Sequence, residues 1–391
     1  PIQSGKTTLL EAILARTGAI QRQGTVDTGT TVGDASKEAR HHKMSTELTV
    51  ATTTFMGDSY TFIDCPGSIE FAHDMRAALP ACDAAVVVCE LDEKKIPQLQ
   101  LIFRELEGQK IPHILFVNKI DKLNDSAGQT ALDALAMLQP ASRCKLLVRQ
   151  LPTLNDQGIV SGFVDLALER AFVYKESAAS EVIELAGDVL EREKTARFAM
   201  LETLADHDDE LMEQLLEDIQ PPRDKVFDDL AKELRERQVM PVLLGVAARS
   251  NGVLRLLKAL RHEAPGVAET AARLGAKAGA DPLALVLKTF HTMHGGKMSI
   301  ARLLAGQAGD GTTFITPHGD AGRVSGVFKV TGQHFDKRGP AVAGETVAFG
   351  KLEGAKTGDT LSGGKQPHAA LLEVKPYPPV LGLAVQAKER K

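Results

Sequence analysis

Hydrophobic and polar positions change rhythm several times along the chain. From residue 1 to about 150, short β-rich apolar runs alternate with amphipathic stretches, which predicts a mostly parallel sheet covered by helices. Tyr60–Asp64, Ala84–Cys89 and Ile114–Asn118 read as buried strands, and Val242–Gly245 as a fourth that follows an insert from about Pro140 to Met240. Within the insert, Leu146, Val148 and Leu151, then Ile159, Val160 and Phe163, alternate as in strands over Lys145–Tyr174. The remainder is helical and acidic. A helix around Asp206–Ile219 would align Leu211, Leu215, Leu216 and Ile219 in one stripe, its acidic residues forming either a solvated face or a docking surface.

After a helix at Val253–His262, the Ala/Gly-rich stretch Gly266–Asp281 carries few bulky side chains and reads as a linker or surface segment. From Pro282 to about Ala370, strands punctuated by Gly295-Gly296, Gly309-Asp310-Gly311, Gly319-Asp320 and Gly363-Gly364 predict a small all-β barrel. Pro376, Pro378 and Pro379 form a stiff connector into Val380–Gln386, which alternates like the first strand of a third domain. The expected organisation is a sheet domain over 1–265 with an insert at about 140–240, a linker at 266–281, a barrel at 282–375, and the start of a truncated domain at 376–391.

Composition narrows the class. The 391 residues are 43% hydrophobic and 25% charged, enough apolar material for several cores. A net charge of −5 argues against a protein that holds free DNA through its overall charge. No apolar run approaches the roughly 20 residues of a spanning helix, so no membrane partner is expected. Cys65, Cys82, Cys89 and Cys144 form no C-x-x-C pair and have no His at metal-ligand spacing, which fits a reducing, cytoplasmic setting. The opening at Pro1 looks internal.

Ser4-Gly5-Lys6-Thr7-Thr8 matches the end of a phosphate-binding loop, G-x-x-x-x-G-K-[ST]. Gly5 lets backbone N–H groups close around phosphate oxygens, Lys6 brings a cation to the β/γ-phosphates, and Thr7 offers a hydroxyl to Mg²⁺. A helix opening at Thr8 adds its positive end. Asp64-Cys65-Pro66-Gly67 is a D-x-x-G element at a strand end: Asp64 suits a water-mediated Mg²⁺ ligand, and Gly67 can place its N–H against a γ-phosphate. Asn118-Lys119-Ile120-Asp121 is an N-K-x-D element. Asp121 can accept from the ring N–H and the amino group of guanine, while Asn118 and the Lys119 stem hold the loop and cover the base.

Taken singly, each motif could be a plain helix start or turn. Their order decides, because each falls at the end of an expected strand or in the loop after it, the rim where open α/β sheets bind ligands. The set predicts a guanine-nucleotide site for GTP or GDP with Mg²⁺ on a doubly wound P-loop sheet. An ATP-using kinase or ATPase would leave Asp121 facing a base that offers neither of those donors there.

With these motifs the chain resembles the translational GTPases, and specifically bacterial elongation factor G. The likeness also rests on Pro241–Ala247, which looks like the family's last guanine loop, on His294–Arg302 and Thr357–Leu361 of its second domain, and on Val380–Lys391 of its third. It implies a ribosome partner and a monomer, and it assigns Val246 and Ala247 to the base, with the Ala247 N–H facing the guanine carbonyl. The family's D-x-P-G-H carries a water-positioning His where this chain has Ser68, and His73 is the nearest substitute. Ser45 replaces the Mg²⁺- and γ-phosphate-sensing Thr of the first switch, with Thr46 as a one-residue slip; Val246 stands where a Ser is usual. The chain therefore resembles a divergent, second-copy elongation factor G, with Ser68 and Gly67 at the catalytic position, Thr7, Ser45 and Asp64 at the metal, and weak intrinsic turnover. The alternatives are a hydrolysis-deficient ribosome-binding paralogue, a ribosomal-protection protein or a peptide-release factor of the same class.

Overall fold

A computed structural model describes residues 1–391 except 35, 123–135, 156, 176–177, 186, 277–278, 293–295, 373–381, 385 and 387–391. His294, Gly295, the Pro376/Pro378/Pro379 connector and most of Val380–Lys391, singled out in the sequence, lie outside the described residues.

Helix α1 (Lys6–Arg16) starts at Lys6 rather than Thr8, immediately after Gly5, whose left-handed φ of 91° turns the chain into the helix. Leu9, Leu10, Ile13 and Leu14 are buried. After the short α2 (Lys37–His42), strands β1 (Thr49–Phe55) and β2 (Asp58–Asp64) form an antiparallel hairpin. Helix α3 (Ala72–Ala78) follows, then β3 (Ala85–Cys89), α4 (Ile96–Gly108), β4 (His113–Val117) and, after the N-K-x-D loop, β5 (Lys145–Val148). Helix α4 buries Leu99, Phe103 and Leu106, spaced so that they share one face.

The insert holds an antiparallel sheet of β6 (Gln150–Leu154), β7 (Val160–Asp165), β8 (Arg170–Val173) and β9 (Glu181–Ile183), then helices α5 (Gly187–Ala205), α6 (Asp209–Leu216) and α7 (Arg223–Glu236). The chain returns through β10 (Val239–Leu244) to the main sheet, whose order is β3–β4–β10–β5 with every pair parallel. β4 and β10 are buried along their whole length, as central parallel strands covered on both faces should be.

Three local expectations change. Lys145–Val148 is not part of the insert but the edge strand of the main sheet, paired in parallel with Val239–Val242. On α6, Leu211 is buried but Leu216 is 81% exposed and the nearby Ile219 is 48% exposed, so the apolar stripe is not continuous. Gly266–Asp281 is more than a linker: it contains helix α9 (Val267–Arg273), which follows α8 (Val253–Glu263) and packs beside the antiparallel strands through Val267, Ala271 and Leu274.

Residues Leu283–Ser362 form antiparallel strands around a core that includes Val286, Leu303, Phe314, Val347, Phe349 and Leu361. Their ladder does not stop at its own edge. Val327–Thr331 pairs with β1 through Ala51 and Thr331, and the Gly332 N–H donates to Val50 O at 2.8 Å. Arg302 reinforces this junction, donating to both Asp83 carboxylate oxygens at 2.8 Å and to Ala81 O at 2.5 Å. Arg273 of α9 donates to Cys82 O at 2.6 Å and Pro80 O at 3.1 Å. Among the described residues no helix is long and apolar enough to cross a membrane.

Candidate nucleotide-binding site

The rim at the carboxyl ends of β2, β3, β4 and β10 gathers three motif loops. Thr7 Oγ1 donates to Asp64 Oδ2 at 2.7 Å and lies 3.0 Å from Ser45 Oγ, so the loop before α1, the end of β2 and the segment before β1 meet at one point. Ser45, not Thr46, is the hydroxyl in this contact. A Cβ built on Gly67 would lie 2.3 Å from Lys6 Nζ, placing the lysine ammonium directly against the D-x-x-G glycine. Lys6 Nζ donates to Pro1 O at 2.9 Å, and so does Ser4 Oγ. Thr8 lies in the first turn of α1, half-buried and outside this cluster.

The N-K-x-D loop closes the other side. Asn118 Nδ2 donates to Ser4 O at 2.9 Å, while Lys119 Nζ donates to Gln3 O and to Glu90, each at 2.8 Å. Asn118 Oδ1 accepts the Ala247 N–H at 2.9 Å, so that N–H braces the asparagine instead of standing free at the rim. Val246 is buried and paired with Asn251. Asp121 lies in a short helical turn, with Arg249 Nη2 at 3.7 Å from its carboxylate.

Electrostatics at this rim favour an anion beside a divalent cation. The first turn of α1 contains no acidic residue, leaving its positive end uncompensated. Burial lowers the Lys6 pKa, with Asp64 acting in the opposite direction. Burial pushes Asp64 up to about 6, opposed by Lys6 and by the Thr7 hydrogen bond. Both groups are thus poorly solvated before a ligand arrives.

Ser68 is buried at 8% exposure, and its hydroxyl donates to Glu70. His73, on α3, is exposed.

Three further residues shape the site without belonging to a motif. Asp34 is 4% exposed, its Oδ2 has no hydrogen-bond partner, and burial raises its pKa, with the nearby Ser45 and Thr7 hydroxyls acting in the opposite direction. Glu11, fully buried on α1, accepts from Gly24 N at 3.0 Å and Val32 N at 2.6 Å, pinning both ends of the segment leading to Asp34. Gln98 Nε2 donates to Gly67 O at 2.6 Å while its Oε1 accepts from Ile2 N at 3.2 Å, tying two motif loops together. The only local signal for Gln98 is its place at the start of α4; Asp34 and Glu11 have none.

Residues 1–266 match the family model of the elongation factor Tu GTP-binding domain. The chain belongs to that family. It is 37% identical over its whole length to an elongation factor G-like protein of Synechocystis sp. and 27% identical to elongation factor G 2 of Syntrophomonas wolfei. The chain spans 57% of the length of each of these relatives. A crystal structure of a protein from Thermus thermophilus matches 94% of this chain, and 53% of its own, with a TM-score of 0.83 at 28% identity. These relatives are elongation-factor-G-like proteins, and the parallel nucleotide-domain sheet and antiparallel β-rich C-terminal region of this chain agree with the family.

A cavity opens from the D-x-x-G side of the rim, where Lys6, Asp64, Gly67 and Ser68 line it. It measures about 1070 Å³ and runs between β2 and β3, which do not pair, against Leu9, Ile13, Phe62, Val86 and Val88. Only its inner part, away from Lys6 and Asp64, is walled by apolar side chains that suit neither a phosphate nor Mg²⁺.

Gly5 provides a direct check on the rim. An added Cβ would lie 2.4 Å from Asn118 Nδ2 in a backbone conformation that L-residues avoid at a cost of roughly 1–2 kcal/mol. Gly5→Ala is expected to weaken guanine-nucleotide binding at least tenfold, measured by displacement of a fluorescent GDP. Unaltered affinity would place the nucleotide elsewhere.

Proposed function

We propose that this chain is the nucleotide-handling part of a ribosome-associated, elongation-factor-G-like GTPase that binds GTP or GDP with Mg²⁺ and turns GTP over slowly by itself. The carrying observation is the meeting of Thr7, Asp64 and Ser45 on one side of the rim with Asn118 and Lys119 bonded to the phosphate loop on the other.

The donors suit a hard cation. Thr7, Ser45 and Asp64 offer only oxygen, and Asp34, close enough for the same hydroxyls to lower its pKa, adds a buried carboxylate oxygen without a partner. Thr7 and Ser45 would hold Mg²⁺, with Asp64 and Asp34 acting on it directly or through water. The ion supplies neutralisation of charge on the β/γ-phosphates. Gly5, Ser4 and Thr8 present backbone N–H groups where α1 begins, and Lys6 exchanges its bond to Pro1 O for a phosphate oxygen. Asp121 reads the guanine amino and ring N–H groups, Asn118 and Lys119 hold the loop, and Val246 and Ala247 back it.

Ser45 and Gly67 would sense the γ-phosphate. Strand β1 follows Ser45 within a few residues and pairs with the antiparallel region, so a change at Ser45 has a short covalent route to that junction. GTP and GDP would then favour different arrangements by differential contact alone. The proposed partner is the ribosome and the setting the cytoplasm, as the family kinship supports, with a monomer as the proposed working form.

Ser68 carries the expectation of weak turnover. A hydroxyl already donating to Glu70 offers less to an attacking water than an imidazole would. The same contact favours a second reading, a GTP-dependent ribosome-binding paralogue with little hydrolysis. Ser68→His in the full-length protein is expected to raise ribosome-stimulated phosphate release on the order of 10²-fold. Marked stimulation of the unaltered protein supports the turnover reading and little stimulation the paralogue. Rapid GTP hydrolysis by the unaltered protein without ribosomes would refute the assignment of weak turnover.

A further inference from the structure

Three side chains with metal-ligating atoms converge at the opposite end of the sheet from the nucleotide rim. His113 opens β4, the strand whose far end delivers Asn118; Cys144 immediately precedes β5; and Glu107 lies in the last turn of α4. One ring nitrogen of His113, the Cys144 Sγ and a Glu107 carboxylate oxygen all lie within 4.8 Å of one another.

The histidine offers a buried lone pair. It is 2% exposed, and its Nδ1 lies 2.9 Å from Ile111 O. A carbonyl only accepts, so Nδ1 holds the proton and Nε2 keeps its lone pair. That Nε2 is buried and has no hydrogen-bond partner. Burial lowers the His113 pKa, which keeps the ring neutral, and Phe103 stacks on it at 5.8 Å. A neutral imidazole oriented by a carbonyl on its other nitrogen is the form in which histidine binds metals.

The other two groups are held in place. Glu107 Oε1 accepts from Arg143 N at 2.9 Å and Ser142 Oγ at 3.1 Å, clamping the turn that presents Cys144. The Cys144 thiol donates to Arg237 O at 3.2 Å.

We propose that Glu107, His113 and Cys144 form a binding site for a borderline-soft divalent cation of the Zn²⁺ class, tying the end of α4 to the leading ends of β4 and β5. One sulfur, one imidazole nitrogen and one carboxylate oxygen suit Zn²⁺ or Co²⁺ and not Mg²⁺, which the oxygen donors at the other rim suit. On binding, Cys144 gives up its thiol proton to solvent, its bond to Arg237 O is lost, and the thiolate takes the cation.

The test uses the full chain, stripped of metal by a chelator and saturated with Mg²⁺ and GDP so that the oxygen site is filled. Titration with Co²⁺ should show one bound equivalent with a thiolate-to-cobalt charge-transfer absorption, bleached by Zn²⁺. Cys144→Ser should abolish the absorption, and Glu107→Gln should weaken Co²⁺ binding at least about tenfold, with GDP affinity unchanged in both. Absence of the absorption in the unaltered chain, its persistence in Cys144→Ser, or undiminished binding in folded Glu107→Gln would overturn the proposal. Should Cys144→Ser fail to fold, the unaltered chain and Glu107→Gln still decide it.

Discussion

Asp121→Asn is expected to turn a guanine-nucleotide site into one that prefers xanthine nucleotides. In the proposed pose the carboxylate accepts two hydrogen bonds, from the ring N–H and the exocyclic amino group. An amide can accept only with its oxygen, and its NH₂ then faces the guanine amino group, donor against donor. Hydrogen bonds to a charged group contribute about 1.5–3 kcal/mol each, so losing the one to the amino group lowers guanine affinity roughly 10- to 10²-fold. Xanthine has a carbonyl in place of the amino group and restores the match. Arg249 should not obscure the result: its contact to Asp121 is long at 3.7 Å and its side chain is 59% exposed. Displacement of a fluorescent GDP by GDP, XDP and ATP measures the change. A guanine preference that survives would remove Asp121 from its assigned role.

Glu263→Ala should produce the largest loss of stability among single changes at ion pairs of the described residues. Glu263 closes α8 and accepts from Arg149 Nη1 at 2.9 Å, with the two side chains 1% and 0% exposed. Arg149 sits where β5 of the main sheet passes into β6 of the insert; its N–H donates to Val242 O and its carbonyl accepts from Leu166 N. Removing the carboxylate leaves a guanidinium cut off from water, with Arg255 adding repulsion. Breaking a buried pair in this way costs about 3–5 kcal/mol. The denaturation midpoint should fall while the slope, set by exposed surface, stays the same. The double variant Arg149→Met/Glu263→Leu should recover most of the loss. A cost below about 1 kcal/mol for Glu263→Ala would mean that solvent reaches the pair.

The phosphate-loop, D-x-x-G and N-K-x-D sequences that meet at the rim were legible because each is local. A phosphate loop needs a glycine at left-handed φ, a lysine and a hydroxyl in immediate succession, and Gly5-Lys6-Thr7 supplies them. Strand ends at Asp64 and Asn118 were legible for the same reason, since apolar runs stop where the chain turns. Asp34 was not. Its importance comes from burial beside Thr7 and Ser45, which no spacing announces. Gln98 was missed similarly, because its two partners lie far away in sequence.

Element assignment failed where a neighbour decided it. Lys145–Val148 alternates like a strand of the insert, yet β10 takes it as the edge of the main sheet. Val267–Arg273 looked too poor in bulky residues to pack, but small side chains let a helix approach β-strands closely, and Arg273 anchors it.

By itself, the sequence determined the guanine-nucleotide-binding family and the succession of a parallel and an antiparallel region. These depend on short-range backbone geometry and on the period of apolar positions. Only the tertiary structure decided that β1 joins the antiparallel ladder, that Asn118 is braced by Ala247, and that Glu107, His113 and Cys144 meet. Strand pairing, and the burial that leaves a polar atom without a partner, arise between residues far apart in the chain, where no local pattern records them.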